Sequence, residues 1–196
     1  MWALVEDNTI TKIINNPKAM VINDIRHSKN IFSFRWSNEE REAIGIYEIV
    51  FDDSNKRDEF YYTNTDQSFN YADGQVTASY GSAIPKELAD ITNEDGTIIK
   101  GLKTLKKEHI KKQASGLLDP TDWHNHKALD DDTYTIPANI KTYRANVRTR
   151  SNEMETAINN ASDVDALKAL YEYVNTGTVE NPVMERPLGE FPTLEI

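Results

Sequence analysis

The period of the apolar residues changes partway along this chain, and the change limits the folds open to it. Over the first 83 residues apolar side chains recur at alternating positions, as in Phe69 and Tyr71 or Val76, Ala78 and Tyr80, the spacing of strands with one buried face. From about Lys100 the spacing lengthens to that of an amphipathic helix, with Leu102, Leu105, Ile110, Ala114 and Leu117 close to one stripe. The expectation is an α+β protein with a β-rich domain at 1–83, a connection at 84–99, a helical region at 100–177 and an extended tail at 178–196. Pro182, Pro187 and Pro192 exclude regular structure from that tail.

Local signals fill in the two halves. Trp2, Leu4 and Val5, then the polar Glu6 to Thr9, then Ile10, Ile13 and Ile14 predict a hairpin. A further strand and turn are expected at Met20 to Ile25, and a half-buried strand with Phe32, Phe34 and Trp36 on one face. Ser37 and Glu40 have the spacing of a capping box, and the helix they open, about two turns long, is expected to end at Gly45. Ile46 to Phe51 has strand composition, and Asp73-Gly74 supplies the positive φ angles of a two-residue hairpin turn. In the second half one helix is expected from about Lys100 to the terminators Gly116 and Pro120, with a lysine-rich solvated face. A loop from Asp119 to Pro137 follows, then a helix to about Asn159 carrying Arg144, Arg148 and Arg150 largely opposite its apolar side, then a third helix opened by Ser162 and ended near Gly177.

Composition removes several chemistries. Zero cysteines exclude disulfides, thiolate metal sites and a cysteine nucleophile, and the chain has no phosphate-cradling glycine loop and no G-x-S-x-G elbow. No apolar run is long enough to span a bilayer and no signal peptide is recognisable, so a soluble protein with no membrane partner is expected. The net charge of −10 opposes general nucleic-acid binding. Charge is nonetheless unevenly spread: residues 98–150 carry +5, between −8 before and −7 after. His124-Asn125-His126 with Asp130, Asp131 and Asp132 could attract a metal, yet an H-x-H pair in a loop lacks defined geometry, so no metal site is assigned. His27 and His109 have no partner at a catalytic spacing, so no catalytic residue or cofactor is assigned and no enzymatic activity is expected.

Three blocks resemble a protein family. Asn30 to Glu40 with Ala43-Ile44-Gly45-Ile46-Tyr47 resembles an amino-terminal module of tail and fibre-associated virion proteins of tailed bacteriophages, cyanophages and other marine phages among them. Thr121-Asp122-Trp123, Ile136-Pro137 and Tyr143-Arg144 with Arg148 are similar to the T-D-W, I-P and Y-R-x-x-x-R pattern of such proteins, and Asn181-Pro182-Val183-Met184 resembles their ending. Residues 124–132 depart from the pattern, which has a hydrophobic stretch there. The resemblance implies a structural or adaptor component of a phage tail, near fibres or baseplate, present in the virion after assembly in the host cytoplasm. Its partners would be other tail proteins, with multiple copies in a symmetric assembly; the alternative is a fibre assembly chaperone that leaves before maturation. Pro182, Val183, Met184, Pro187 and Phe191 are the expected partner-binding residues, on a tail whose order depends on that partner.

Overall fold

The computed structural model describes residues 1–195 and divides into two compact units, one over Met1–Ile84 and one from Pro85 onward. The first holds β1 (Trp2–Glu6), β2 (Thr9–Ile14), β3 (Met20–Ile22), β4 (Ile25–His27), α1 (Asn38–Glu42), β5 (Ile46–Asp52), β6 (Tyr62–Thr63), β7 (Gln67–Ala72) and β8 (Gln75–Tyr80). After β9 (Ile84–Pro85) the second holds β10 (Ile91–Thr92), β11 (Ile98–Ile99), α2 (Leu102–Leu118), α3 (Asp122–Asp130), α4 (Ala138–Asn160), α5 (Val164–Ala169), β12 (Val174–Asn175) and β13 (Met184–Glu185). The protein is α+β.

Five strands of the first unit form one sheet in the order β2-β1-β5-β8-β7, curled so that edge strands β2 and β7 approach each other. β1 is buried on both faces. Ala3 and Val5 pack with Ile49, Val76 and Ala78, while Leu4 packs with Ile14, Ile22, Ile31 and Ile46 on the opposite side. Both hairpin turns follow from residues that tolerate positive φ: Asp7 and Asn8 at 49° and 60°, Asp73 and Gly74 at 53° and 75°. Gly45, at φ 82°, ends the turn after α1, and its carbonyl accepts the Val5 amide at 2.8 Å beside a register shift in β1. A Cβ there would stand 2.6 Å from the Val5 carbonyl oxygen, so only glycine fits.

The expected strand through Phe32, Phe34 and Trp36 does not form. Residues Lys29–Phe32 make a 3-10 turn capped by Ser28, and Phe34 is 93% exposed. The cause is Arg41, buried on α1, whose guanidinium donates to the Ile31 carbonyl at 2.9 Å and the Ser33 carbonyl at 2.7 Å and lies over the Trp2 ring. Those carbonyls are turned toward a side chain, and the Ser33 carbonyl also accepts the Trp36 amide at 3.2 Å, the bond of a turn and not of a ladder. The Ser37–Glu40 capping box is present with both bonds made, at 2.8 and 3.2 Å.

In the second unit α2 packs on α4, whose buried Ile140, Tyr143, Val147, Met154 and Ile158 follow helical spacing. The segment expected as a connection is folded: β10 and β11 pair, and the Asp90 carboxylate accepts the Gly101 amide at 2.8 Å, closing the amino end of α2. Bonds from Thr104 and from the Gly101 amide hold the Asp90 carboxyl below the usual carboxylate range. Helix α2 runs through Gly116, and the expected loop after it is a 3-10 turn at Asp119–Thr121 leading into α3. Residues 131–137, between α3 and α4, remain irregular and largely exposed. Helix α5 is short: the cap is Asp163, one residue after the expected Ser162, and the helix stops at Ala169, far before Gly177.

The Tyr47 and Tyr71 hydroxyls lie 3.0 Å apart inside the curled sheet. The Tyr47 phenol is pushed up to about 12, first by that hydrogen bond, then by burial, then by negative charge on Tyr71 and Glu42. Folding thus favours the protonated phenol, so its stabilisation is complete below pH 10, the ordinary phenol value, and is lost as pH rises through about 12. Denaturant titrations of the native protein and Tyr47→Phe should therefore differ by a constant amount in neutral solution and converge in strongly alkaline solution. A difference independent of pH would show that the phenol is not held.

Candidate functional site

The carboxyl-terminal segment divides into two parts with opposite character. In the first, β12 and β13 pair antiparallel, with Val174 opposite Glu185 and Asn175 opposite Met184, and form the base of a hairpin. Its loop is tied by side chains. Asn175 Oδ1 accepts the amides of Gly177 at 3.0 Å and Val183 at 2.9 Å, while Asn175 Nδ2 donates to the Thr178 carbonyl at 3.3 Å. Thr178 Oγ1 accepts the Asn181 amide at 3.0 Å, and the Thr176 amide donates to the Val183 carbonyl at 2.8 Å. Gly177 has no room for a side chain, since a Cβ would lie 2.4 Å from the Asn181 carbonyl oxygen. These bonds spend the loop's ordering entropy in the free protein. They also leave Val174, Val179, Val183 and Met184 exposed, Val179 to 95%.

The second part is a strap that packs on the unit's own helices. Leu188 is 2% exposed and its amide donates to the Leu170 carbonyl at 2.9 Å. Gly189, at φ 71°, lets the chain turn under Arg150, whose guanidinium donates to the Leu188 carbonyl at 2.9 Å and the Glu190 carbonyl at 3.2 Å. Arg186 pairs with Glu190 at 2.7 Å, and the same carboxylate accepts from the Tyr173 hydroxyl at 2.6 Å. That bond, followed by burial, raises the Tyr173 phenol above its ordinary value. Phe191 and Leu194 pack against Ala114, Tyr143 and Val147.

The expected partner-binding residues are therefore separated. Pro182, Val183 and Met184 lie on the exposed hairpin and Pro187 is exposed just beyond it, whereas Phe191 belongs to the packed strap. An extended tail over 178–196, ordered only by a partner, is corrected over the described residues: Leu188, Phe191 and Leu194 find their burial within the unit. Arg150, expected on a solvated face, is what the strap is tied to.

A groove of about 550 Å³ is lined by residues of both hairpin and strap, among them Tyr173, Val174, Met184, Arg186, Pro187 and Glu190. Its size and mixed lining suit an apolar side chain flanked by polar groups. Arg150 and Arg186 already have carboxylate partners, Glu153 and Glu190.

The residues of the T-D-W and Y-R blocks meet elsewhere on this unit. Arg144, 6% exposed, donates to the Leu118 carbonyl at 2.9 Å, to Thr121 Oγ1 at 2.5 Å and to Asp122 Oδ1 at 2.6 Å. The sequence spacing placed this arginine toward solvent; burial makes it a tie between α4 and the start of α3. His124 is buried on α3 and not in an open loop, with Trp123 stacked on it at 3.7 Å and the Tyr134 hydroxyl bonded to its Nδ1. Among the described residues no group of three or more His, Asp or Glu side chains could hold a metal. Part of the expected lysine face is also engaged, Lys103 by the Asn159 carbonyl and Lys111 by Glu155.

No family model, curated protein or solved structure matches this chain. Among the described residues no helix is long and apolar enough to cross a membrane.

Seating of the strap gives a direct test. Leu188→Ala should cost about 2 to 5 kcal/mol of unfolding free energy, the range for a buried leucine. Truncation after Glu185 should lower the melting temperature of the isolated protein by several degrees. An unchanged melting temperature in both would mean that the strap does not contribute to the fold.

Proposed function

We propose that this protein is a structural or adaptor component of a bacteriophage tail, near fibres or baseplate, and that it works through protein–protein contacts made by the 174–185 hairpin. The observation that carries the contact surface is a tightly hydrogen-bonded, protruding loop that keeps Val174, Val179, Val183 and Met184 in solvent. A monomer gains nothing in its own core from such side chains, and a preordered loop loses little entropy when a partner covers them. The phage setting is supported by the resemblance of the three sequence blocks, and two of those blocks supply the Arg144 tie and the hairpin. Expected partners are other tail proteins, with several copies arranged by the symmetry of the tail.

Quantitative mass spectrometry of purified virions tests this function. A tail component should be recovered in a fixed ratio to known tail proteins. Absence from virions together with co-purification with fibre protein from infected lysate would favour the assembly-chaperone reading, and absence from both would remove the phage-tail proposal.

A further inference from the structure

We propose that this chain cuts itself between Asn181 and Pro182, near the tip of the 174–185 hairpin, with the Asn181 side chain as the nucleophile. The proposal stands on the chemistry of the loop and does not rest on the virion setting. Pro182 has no amide hydrogen, so the usual attack of the following backbone nitrogen on an asparagine side chain is closed here. The converse attack stays open. Asn181 Nδ2 adds to the carbonyl carbon of its own residue, a five-membered imide forms, and the bond to the Pro182 nitrogen breaks. The proton that Nδ2 gives up ends on the proline nitrogen, which leaves as a secondary amine. Water then opens the imide at either carbonyl, so the reaction consumes water and needs no other reactant.

The loop positions the groups this step requires. Thr178 and Asn181 close the tip: the Thr178 amide donates to the Asn181 carbonyl at 3.2 Å, and the Asn181 amide donates to Thr178 Oγ1 at 3.0 Å. The first bond aims an N–H at the oxygen that gains negative charge as Nδ2 adds. The second fixes the backbone from which the side chain swings. Gly177 makes room for that oxygen, since a Cβ there would stand 2.4 Å from it. The Asn181 side chain is exposed and makes no hydrogen bond among the described residues, so nothing holds its amide away from the carbonyl. Asn16-Pro17 is the same dipeptide without these aids, because no donor among the described residues reaches the Asn16 carbonyl. After scission the Val183 amide stays on Asn175 Oδ1 at 2.9 Å and keeps the proline amine near the imide, so the cut becomes permanent only when water opens the ring.

Intact-mass spectrometry under denaturing conditions tests this, on the full chain held for weeks at body temperature in neutral and mildly alkaline buffers. The native protein should yield two pieces, one ending in the Asn181 imide or its hydrolysis product and one starting at Pro182, in a fraction that grows with pH because the attacking amide must lose a proton. In native chromatography the pieces should still run together, since Leu188 and Phe191 keep the strap seated. Asn181→Ala should stay whole. Pro182→Ala, which restores the amide hydrogen, should lose ammonia at Asn181 and stay uncut. Thr178→Ala, which frees the Asn181 amide, should slow the cut several-fold at an unchanged melting temperature. The Asn16–Pro17 bond should stay intact, and in concentrated urea the Asn181–Pro182 bond should become as slow to break as that one. A native chain that stays whole, scission that persists in Asn181→Ala, a Thr178→Ala chain that cuts at the native rate, or equal rates at the two Asn-Pro bonds in the folded protein would each overturn the proposal. None of these outcomes bears on whether the protein is found in virions.

Discussion

Arg150 over Gly189 is the contact on which the carboxyl-terminal third of the structure depends. A guanidinium on α4 reaches two carbonyls of the strap, at Leu188 and Glu190, and a side chain at the glycine beneath it, besides straining its φ of 71°, would displace that guanidinium. Holding those carbonyls seats Leu188, and the Leu188 amide then satisfies the Leu170 carbonyl just past the end of α5. With both ends of the segment fixed, the chain between Tyr173 and Arg186 must double back, and the hairpin is the result. Desolvation of the arginine is offset by charge-assisted bonds to Glu153 and to the carbonyls, stronger than neutral ones.

The first unit is organised by a different constraint. A sheet whose interior strand β1 is buried on both faces cannot slip register without moving Ala3, Leu4 and Val5 into the wrong clusters. Gly45 fixes this register from outside the sheet, through its bond to Val5 at the irregular point of β1. Arg41 performs the analogous task for the 3-10 turn, holding the Ile31 carbonyl and sharing the Ser33 carbonyl with the Trp36 amide. In both units an arginine on a helix organises irregular backbone beside it.

The proposed adaptor role would need side chains left in solvent and a scaffold that holds them still. The hairpin meets both needs by local means, since Asn175 and Thr178 bond backbone groups of their own loop and Gly177 permits the close return of the chain. Its exposed valines and methionine are therefore presented at a fixed spacing. The strap beside it adds a groove lined by both apolar and charged side chains.

Elements set by neighbours in sequence were legible without the structure. Asp73-Gly74, the Ser37–Glu40 box, Gly45 and the helical spacing from Ile140 to Ile158 act over a few residues, and each appears where its chemistry requires. Of the residues expected to bind a partner, Pro182, Val183, Met184 and Pro187 are exposed, whereas Phe191, with similar composition around it, is packed. The aromatic alternation at Phe32, Phe34 and Trp36 resembles a strand until Arg41 claims its carbonyls. What tertiary structure alone decided was the fate of Arg41, Arg144 and Arg150, the fold of residues 122–130 and the division of the tail. Each depends on groups distant in sequence meeting in space, and an arginine's long side chain carries no local sign of which carbonyl it will find.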